Sequence, residues 1–273
     1  WIPLSIFHFR SLNVLQLSSN NFNGTLKLDV IKSLANLTIL DLSYNNLLID
    51  TNVAEAHRSY FPMMSIVKLA SCNLIEFPTL LRNQSQISTL DLSRNHIQGS
   101  IPTWILQLDQ QLNLSHNMLS NLEGPEHNSS FTFKVSALHS NQLQGKNPTF
   151  PVNATYLDYS SNHLSSTIPS DIGTNLFSIV FLSLSKSNLS GSIPQSLCNK
   201  PTLLVLDVSH NHFNGTIPEC LTQNMFHGNI PDTFSASCAL RTPDVNENPL
   251  EGPVPNSCKL YVIRSIKSWK QSP

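Results

Sequence analysis

Five side chains that can bind or ionise recur at one position of a repeated motif in this 273-residue chain. Each stands directly before the residue at which the motif turns, which we call the anchor. The five are one aromatic ring, two fixed cations and two imidazoles: Tyr44, Arg94, His116, Lys186 and His210. Such groups suit the binding of an extended peptide or an acidic ligand. We therefore predict that these pre-anchor residues form a ligand-binding surface.

Catalytic chemistry has little support in the sequence. Carboxylates recur four residues before an anchor, and we interpret them as a discontinuous, solvated acidic row rather than a catalytic pair: Asp41, Asp91, Asp158, Asp207 and Asp244. His210 and His212 flank an anchor that should turn inward, so we expect their imidazoles to point apart. No phosphate-binding glycine loop, hydrolase elbow, zinc-protease or kinase catalytic-loop pattern occurs. The sequence thus predicts no enzyme, no cofactor and no metal.

The anchors recur about every 24 residues. The clearest copy runs through Leu37, Leu40, Leu42, Asn45 and Leu47, with the spacing L-x-x-L-x-L-x-x-N-x-L. Gly often follows the anchor by four positions and Pro by seven, which extends the unit to G-x-I-P. Eleven anchors can be assigned, nine of them Asn, at residues 20, 45, 72, 95, 117, 141, 162, 187, 211, 224 and 248.

Each part of this unit predicts one part of a coil. The x-L-x-L-x stretch alternates with period two, so it predicts a short strand with one buried face, and stacked coils give a parallel sheet. The anchor Asn should turn inward and bond backbone groups of neighbouring coils. Gly permits the bend, and Pro favours extended or 3₁₀ structure on the opposite side. The coils should share one core, which is expected to contain Leu40, Leu42, Leu90 and Leu92.

The G-x-I-P extension resembles the plant-specific class of leucine-rich repeats. Residues 69–74 (LASCNL), 76–78 (EFP), 230–234 (IPDTF) and 238–255 are similar to the ectodomains of plant receptor-like proteins. Among these, the likeness is greatest to the group that confers resistance to Verticillium wilt. The resemblance implies an α/β fold, a right-handed leucine-rich-repeat solenoid curved into a superhelix. Its parallel β-sheet would lie on the concave face, with the pre-anchor residues, and its extended or 3₁₀ segments on the convex face.

The repeat pattern also predicts the domain organisation. Residues 1–258 should form a single solenoid of about eleven repeats, and residues 259–273 a basic tail outside the repeat frame. The step of 13 residues between the anchors at 211 and 224 removes the strand half of one coil, so the repeat near 212–224 is truncated. A missing strand is expected to interrupt the sheet and expose two edges.

The resemblance implies a non-enzymatic, ligand-recognising ectodomain of an immune receptor. It would bind a peptide or protein from a pathogen or the host and signal through a receptor-kinase co-receptor at the extracellular face of the plasma membrane. The signal peptide and transmembrane helix of such receptors are not found here, so we expect an ectodomain fragment. Two alternatives stay open: an extracellular inhibitor of microbial cell-wall hydrolases, similar to polygalacturonase-inhibiting proteins, and a non-functional truncated gene product.

Charge and hydropathy exclude other classes of partner. The net charge is −1, which lacks the excess of cations that phosphate-backbone binding requires. The longest apolar stretches are far shorter than the ~20 residues of a membrane span. Neither nucleic-acid binding nor membrane insertion of this chain is predicted.

The cysteines and glycosylation sequons favour an oxidising, secretory compartment. Residues one period apart should lie side by side, so we pair Cys198 with Cys220 and Cys238 with Cys258, although four cysteines allow three connectivities. Cys72 remains as a small buried residue at an anchor. Asn113 lies mid-strand on the predicted concave face, where a glycan would block part of that face unless the site is unmodified. The other sequons are the expected glycosylation sites: Asn23, Asn36, Asn83, Asn128, Asn153, Asn188 and Asn214.

Overall fold

A computed structural model describes residues 1–51, 61–106, 111–122, 134–145, 150–199, 202–218 and 242–250. The chain divides into two units, Trp1–His127 and Asn128–Pro273. Each unit consists of coils that contribute one short strand to a main parallel sheet and, in most coils, a second strand just after the anchor.

The main sheet of the first unit has five parallel strands whose middle residues are paired in register and buried. With all strands of the protein numbered in chain order, they are β1 (Val14–Gln16), β3 (Ile39–Asp41), β5 (Ile66–Lys68), β6 (Thr89–Asp91) and β8 (Gln111–Asn113). The strands after the anchors pair separately, β2 (Asn23–Lys27) with β4 (Asn46–Asp50) and β7 (Gln98–Ile101) with β9 (Met118–Leu122).

The second unit repeats this arrangement. Its main sheet, again parallel and in register, contains β10 (Val135–Ala137), β12 (Tyr156–Asp158), β14 (Phe181–Ser183), β16 (Val205–Asp207) and β18 (Thr242–Asp244). Two shorter pairs follow the anchors, β11 (Gln144–Gly145) with β13 (His163–Leu164) and β15 (Ser190–Gly191) with β17 (His212–Phe213).

Among the described residues, helical structure is limited to segments of four to six residues, in keeping with the short 3₁₀ structure that the prolines predict. Most of these segments begin just after a Pro, and Pro3 and Pro78 occupy the N-cap position before the first helical residue. The 3₁₀ segments are Leu4–His8, Leu28–Ser33, Thr79–Asn83 and Gln195–Asn199, and the α-helical turns are α1 (Thr103–Leu106) and α2 (Ile172–Asn175). The five described glycines that follow an anchor by four residues have positive φ, from 78° to 123°, where the bend was predicted.

Six anchor asparagines donate to a carbonyl of the preceding coil in the stack, as the sequence predicts: Asn45, Asn95, Asn117, Asn162, Asn211 and Asn248. The Nδ2 group of Asn95 donates to the carbonyls of Leu69 in the preceding coil and of Leu92 in its own, at 2.8 and 2.9 Å. Its Oδ1 accepts the N–H groups of Cys72 and Leu74 at 2.9 and 3.0 Å. Asn95 thus satisfies buried backbone groups of two coils.

The predicted core is confirmed. The side chains of Leu40, Leu42, Leu90 and Leu92 are at most 1% exposed. The parallel, in-register strands and scarce helix confirm the solenoid fold class, because each coil buries its leucines only against its neighbours.

The expected interruption of the sheet after residue 211 is wrong. Strand β16 pairs directly with β18, Val205 opposite Thr242 and Asp207 opposite Asp244. Asn248 completes this contact, since its Nδ2 donates to the carbonyl of Val208 at 2.9 Å. The anchor at 248 therefore follows the anchor at 211 in the stack, and the sheet stays continuous. The anchor at 224 and the tail at 259–273 lie outside the described residues.

Candidate functional site

The main sheets present one face away from the leucine core, which we call the open face. Burial in the strands alternates: the middle residue is buried, and the first and usually the third are half-buried or exposed. Three lines of side chains therefore lie on or beside this face: the first residue of each strand, the third residue, and the pre-anchor residue in the turn that follows.

The five predicted ligand-binding residues all lie in that turn, and all have left-handed backbone. Their φ values fall between 52° and 55°, a region that L-residues other than Asn and Asp rarely occupy. The N–H groups of Arg94 and Lys186 donate to the carbonyls of Ser115 and Ser209 in the next coil, at 2.9 and 3.0 Å. Because the backbone of the turn is bonded in this way, its side chain points to solvent.

The structure brings some of these residues together within each unit. All five are exposed, Tyr44 by 48%. Arg94 and His116 occupy successive coils of the first unit, whereas the coil of Ser71 separates Tyr44 from them. Lys186 and His210 occupy successive coils of the second unit. His212 belongs to β17, on the other side of the buried Asn211, so the two imidazoles lie on different elements.

The aspartates have a structural role that the sequence prediction of a solvated row missed. Each Oδ1 accepts the N–H of the residue two positions later, at 2.9 to 3.1 Å. Asp41 is buried, and the other four are half-buried. Asn113 takes the same place and accepts the N–H of Ser115 at 3.2 Å. The signal was available, because Asp and Asn commonly bond the backbone two residues ahead.

An aromatic pair that the sequence prediction omitted lies on the open face of the second unit. Tyr156 and Phe181 are the first residues of β12 and β14, and their rings stack with centroids 4.3 Å apart and planes inclined by 10°. Val135 and Val205 occupy the same position in the flanking strands. Burial, with a smaller contribution from the charge of Asp158, raises the pKa of Tyr156.

The corresponding line in the first unit is aliphatic and then polar. It reads Val14, Ile39, Ile66, Thr89 and Gln111 along successive strands. Val14 is 43% exposed. The two open faces therefore differ in their first line, and only the second has stacked rings.

Of the five cysteines, only the side chain of Cys72 is among those that the structure describes. Cys72 is free and buried, as expected of an anchor, and its thiol lies 3.5 Å from the carbonyl oxygens of Leu42 and Ala70. Burial, with the nearby charges of Asp41 and Asp91, raises its pKa from 9.0 to about 12. The side chain of Cys198 lies outside the described residues, as do Cys220, Cys238 and Cys258, so both disulfide pairs stay predictions.

Six predicted glycosylation sites are exposed: Asn23, Asn36, Asn83, Asn153, Asn188 and Asn214. Asn128 lies outside the described residues. Asn113 differs from these six, because it is half-buried as the third residue of β8 and its Oδ1 also accepts the hydroxyl of Ser115 at 2.8 Å. Its position on the open face is the one predicted.

Two other kinds of feature are absent from the residues that the structure describes. Those residues contain no group of three or more His, Cys, Asp or Glu side chains that could hold a metal ion. They also include no helix with the length and apolar character needed to cross a bilayer.

Comparison with known families and relatives gives a consistent result. The family described as Leucine Rich Repeat matches residues 36–55, 86–108, 153–175, 178–200 and 202–224. The chain is 30% identical to Receptor-like protein 33 of Arabidopsis thaliana, over 92% of this chain and 33% of that protein. It is 31% identical to Receptor-like protein 35 of the same plant, over 93% of this chain and 29% of that protein. The chain thus spans about a third of the length of the curated relatives it matches.

Solved structures show the same fold. The crystal structure of a TDR receptor matches with a TM-score of 0.77 at 24% identity, over 94% of this chain and 42% of that one. The Arabidopsis receptor kinase HAESA, in complex with the peptide hormone IDA and the co-receptor SERK1, matches with a TM-score of 0.66 at 26% identity, over 94% of this chain and 45% of that one.

Proposed function

We propose that this chain, which contains leucine-rich repeats and is similar to plant receptor-like proteins, recognises a peptide or protein ligand. It acts as part of the ectodomain of a receptor-like protein at the extracellular face of the plasma membrane. The proposal gives it a binding role and no catalytic one.

One observation carries this proposal: the side chains vary where the backbone does not. Ten pre-anchor residues share a φ of 52° to 57°, yet they include Ser, Tyr, Arg, His, Lys and Glu. In Arg94 and Lys186 the backbone N–H bonds the next coil, which leaves the side chain available to a ligand. A constant frame with varied exposed groups is the arrangement that recognition requires.

The proposal extends to partners. The HAESA structure, which has the same fold, contains a peptide hormone and a co-receptor. We assign this chain a ligand of the same chemical class and a receptor-kinase partner. A role in defence rests on the resemblance of residues 69–74, 76–78, 230–234 and 238–255 to proteins that confer resistance to Verticillium wilt.

Binding of synthetic peptides to the secreted 273-residue chain tests the proposal. The panel samples secreted plant and fungal proteins, and calorimetry measures affinity. We expect saturable binding that Arg94→Ala or Lys186→Ala weakens by roughly tenfold. Gln98→Ala and Gln144→Ala, at exposed positions of β7 and β11, are the controls and should leave affinity unchanged.

Two outcomes count against the proposal. Equal effects of the open-face and control substitutions would show that the open face does not bind the ligand. Binding confined to plant peptides, with none from fungal proteins, would remove the role in defence but keep recognition.

A further inference from the structure

We propose that the open face of the second unit binds a peptide segment in which an arginine or lysine stands next to an apolar residue. The stacked rings of Tyr156 and Phe181 and the carboxylate of Asp158 form the contact. This inference rests on the proposed ligand-recognition function and specifies the chemistry of its ligand.

The aromatic row consists of Val135, Tyr156, Phe181 and Val205, the first residues of four successive strands. Side chains stand roughly perpendicular to a sheet, so rings that stack across two strands rise from the open face. Each ring is half-buried, and each is flanked on its outer side by a shorter valine. An apolar step therefore lies on either side of the stack, against which a side chain with an aliphatic stem can pack.

A row of carboxylates runs beside the aromatic row. Asp158, Asp207 and Asp244 are the third residues of β12, β16 and β18, so they share the open face with the rings. The backbone of the turn uses only Oδ1 of Asp158. Among the described residues, Oδ2 of Asp158 has no hydrogen bond and no ion pair, whereas Oδ2 of Asp207 accepts the hydroxyl of Ser183 at 3.1 Å.

The charge of this face indicates the sign of its ligand. Besides the three aspartates it includes Glu247, and the cations beside them are Lys134 and Lys186. Among the described residues of this face, four carboxylates thus outnumber two ammonium groups. An acidic ligand would be repelled here, but a cationic one is attracted.

One basic side chain is long enough to contact both the ring of Tyr156 and the carboxylate of Asp158. Residues two apart in a strand are separated by about 7 Å, which the side chain of an arginine can span. Its guanidinium stacks on aromatic faces and pairs with a carboxylate, and the apolar neighbour in the peptide can pack on the step beside Val205. The geometry thus selects a basic and an apolar residue in sequence.

The test uses short extended peptides that differ only at a central pair: Arg-Leu, citrulline-Leu or Glu-Leu. Citrulline has nearly the shape of arginine but no charge. Calorimetry with the 273-residue chain should show that Arg-Leu binds about tenfold more tightly than citrulline-Leu, and that Glu-Leu does not bind.

Asp158→Asn should weaken binding of the Arg-Leu peptide by about tenfold and leave binding of the citrulline-Leu peptide unchanged. The turn should keep its fold in this variant, because the amide of Asn113 accepts the same backbone N–H in its own coil. Phe181→Val, which introduces the residue that β16 has at the same position, should weaken binding of both peptides several-fold. Asp91→Asn in the first unit is the matched control and should have no effect. Both Asp→Asn changes create an N-x-S sequon, so the proteins are made in the bacterial periplasm, which adds no N-glycan.

The inference is overturned if no basic peptide binds, if Glu-Leu binds as well as Arg-Leu, or if Asp158→Asn and Asp91→Asn act alike. These results leave the proposed function intact when other peptides still bind through Arg94 and Lys186. If peptide binding depended on none of the open-face residues, in contrast, both the inference and the proposed function would be overturned.

Discussion

The anchors Asn95 and Ser187 occupy the same position in their coils but are bonded differently. The amide of Asn95 donates to three carbonyls and accepts two N–H groups. The hydroxyl of Ser187 is buried and has no partner among the described residues. Strand β14 of its coil nevertheless pairs with β12 and β16 in full register. Toward the preceding coil, the strand pairing is therefore complete without an anchor amide, although the amide of Asn211 bonds Leu184 and Leu189 from the next coil. We expect an anchor amide to add stability separately.

Removing a complete anchor should have the largest effect. Asn95→Ala leaves the N–H groups of Cys72 and Leu74 buried without an acceptor, at a cost of about 4 kcal/mol in the free energy of unfolding. Chemical denaturation measures the loss. Asn20→Ala is the control, because Asn20 is exposed and bonds only the carbonyls of Leu17 and Ser18. Equal losses in the two variants would show that anchor amides do not act through burial.

Cys72 offers a second comparison with Asn95, because its thiol can ionise. The folded chain raises the pKa of this thiol from 9.0 to about 12, so the folded state holds the proton more tightly than the unfolded state. Stability from Cys72 is therefore complete below pH 9 and is lost as pH rises toward 12, by about 1.4 kcal/mol per unit. The free energies of unfolding of the chain and of Cys72→Ala, measured from pH 8 to 11, should converge or cross. Parallel curves would refute this.

Restoring the missing amide should have a smaller, favourable effect. Ser187→Asn provides the donor that Asn162 and Asn211 have in the coils on either side. We expect a gain of about 1.5 kcal/mol in the free energy of unfolding. Ser187→Ala, which removes an unpaired hydroxyl, should be neutral or slightly stabilising. A loss of stability in Ser187→Asn would mean that this coil cannot accommodate the amide.

The smallest expected effect concerns the residue before the anchor. Arg94→Gly relieves the left-handed backbone and should raise the free energy of unfolding by about 0.5 kcal/mol. Arg94→Ala keeps the strained φ and should give no gain. Thermal melts of both variants measure the difference, and ligand binding should fall in both. A gain in Arg94→Ala would assign the effect to charge instead of backbone.

Much of the fold could be predicted from local patterns. The spacing of Leu40, Leu42 and Asn45 predicts the strand, the buried positions and the turn, because each of these depends on residues within one coil. The pairing of β16 with β18 could not be predicted, because the partner of a strand depends on the whole stack and not on the residues of one coil.

The candidate site was predictable in part for the same reason. The pre-anchor residues follow from their distance to an anchor, and their exposure matches the prediction. The stack of Tyr156 and Phe181 depends on two coils placed in register, a contact across 25 residues of sequence. The bonds of the aspartates are local and could have been found, but periodicity alone assigned these side chains to the solvent.

The left-handed turn before each anchor also affects how the sequence can change during evolution. Its backbone is the same whether the side chain is Ser140, Tyr44 or Glu247. A substitution there alters the surface without altering the conformation that the coil must adopt. Exchange of whole coils by recombination would transplant such a residue with its frame intact. The repeat thus separates heritable variation in specificity from the requirement to fold.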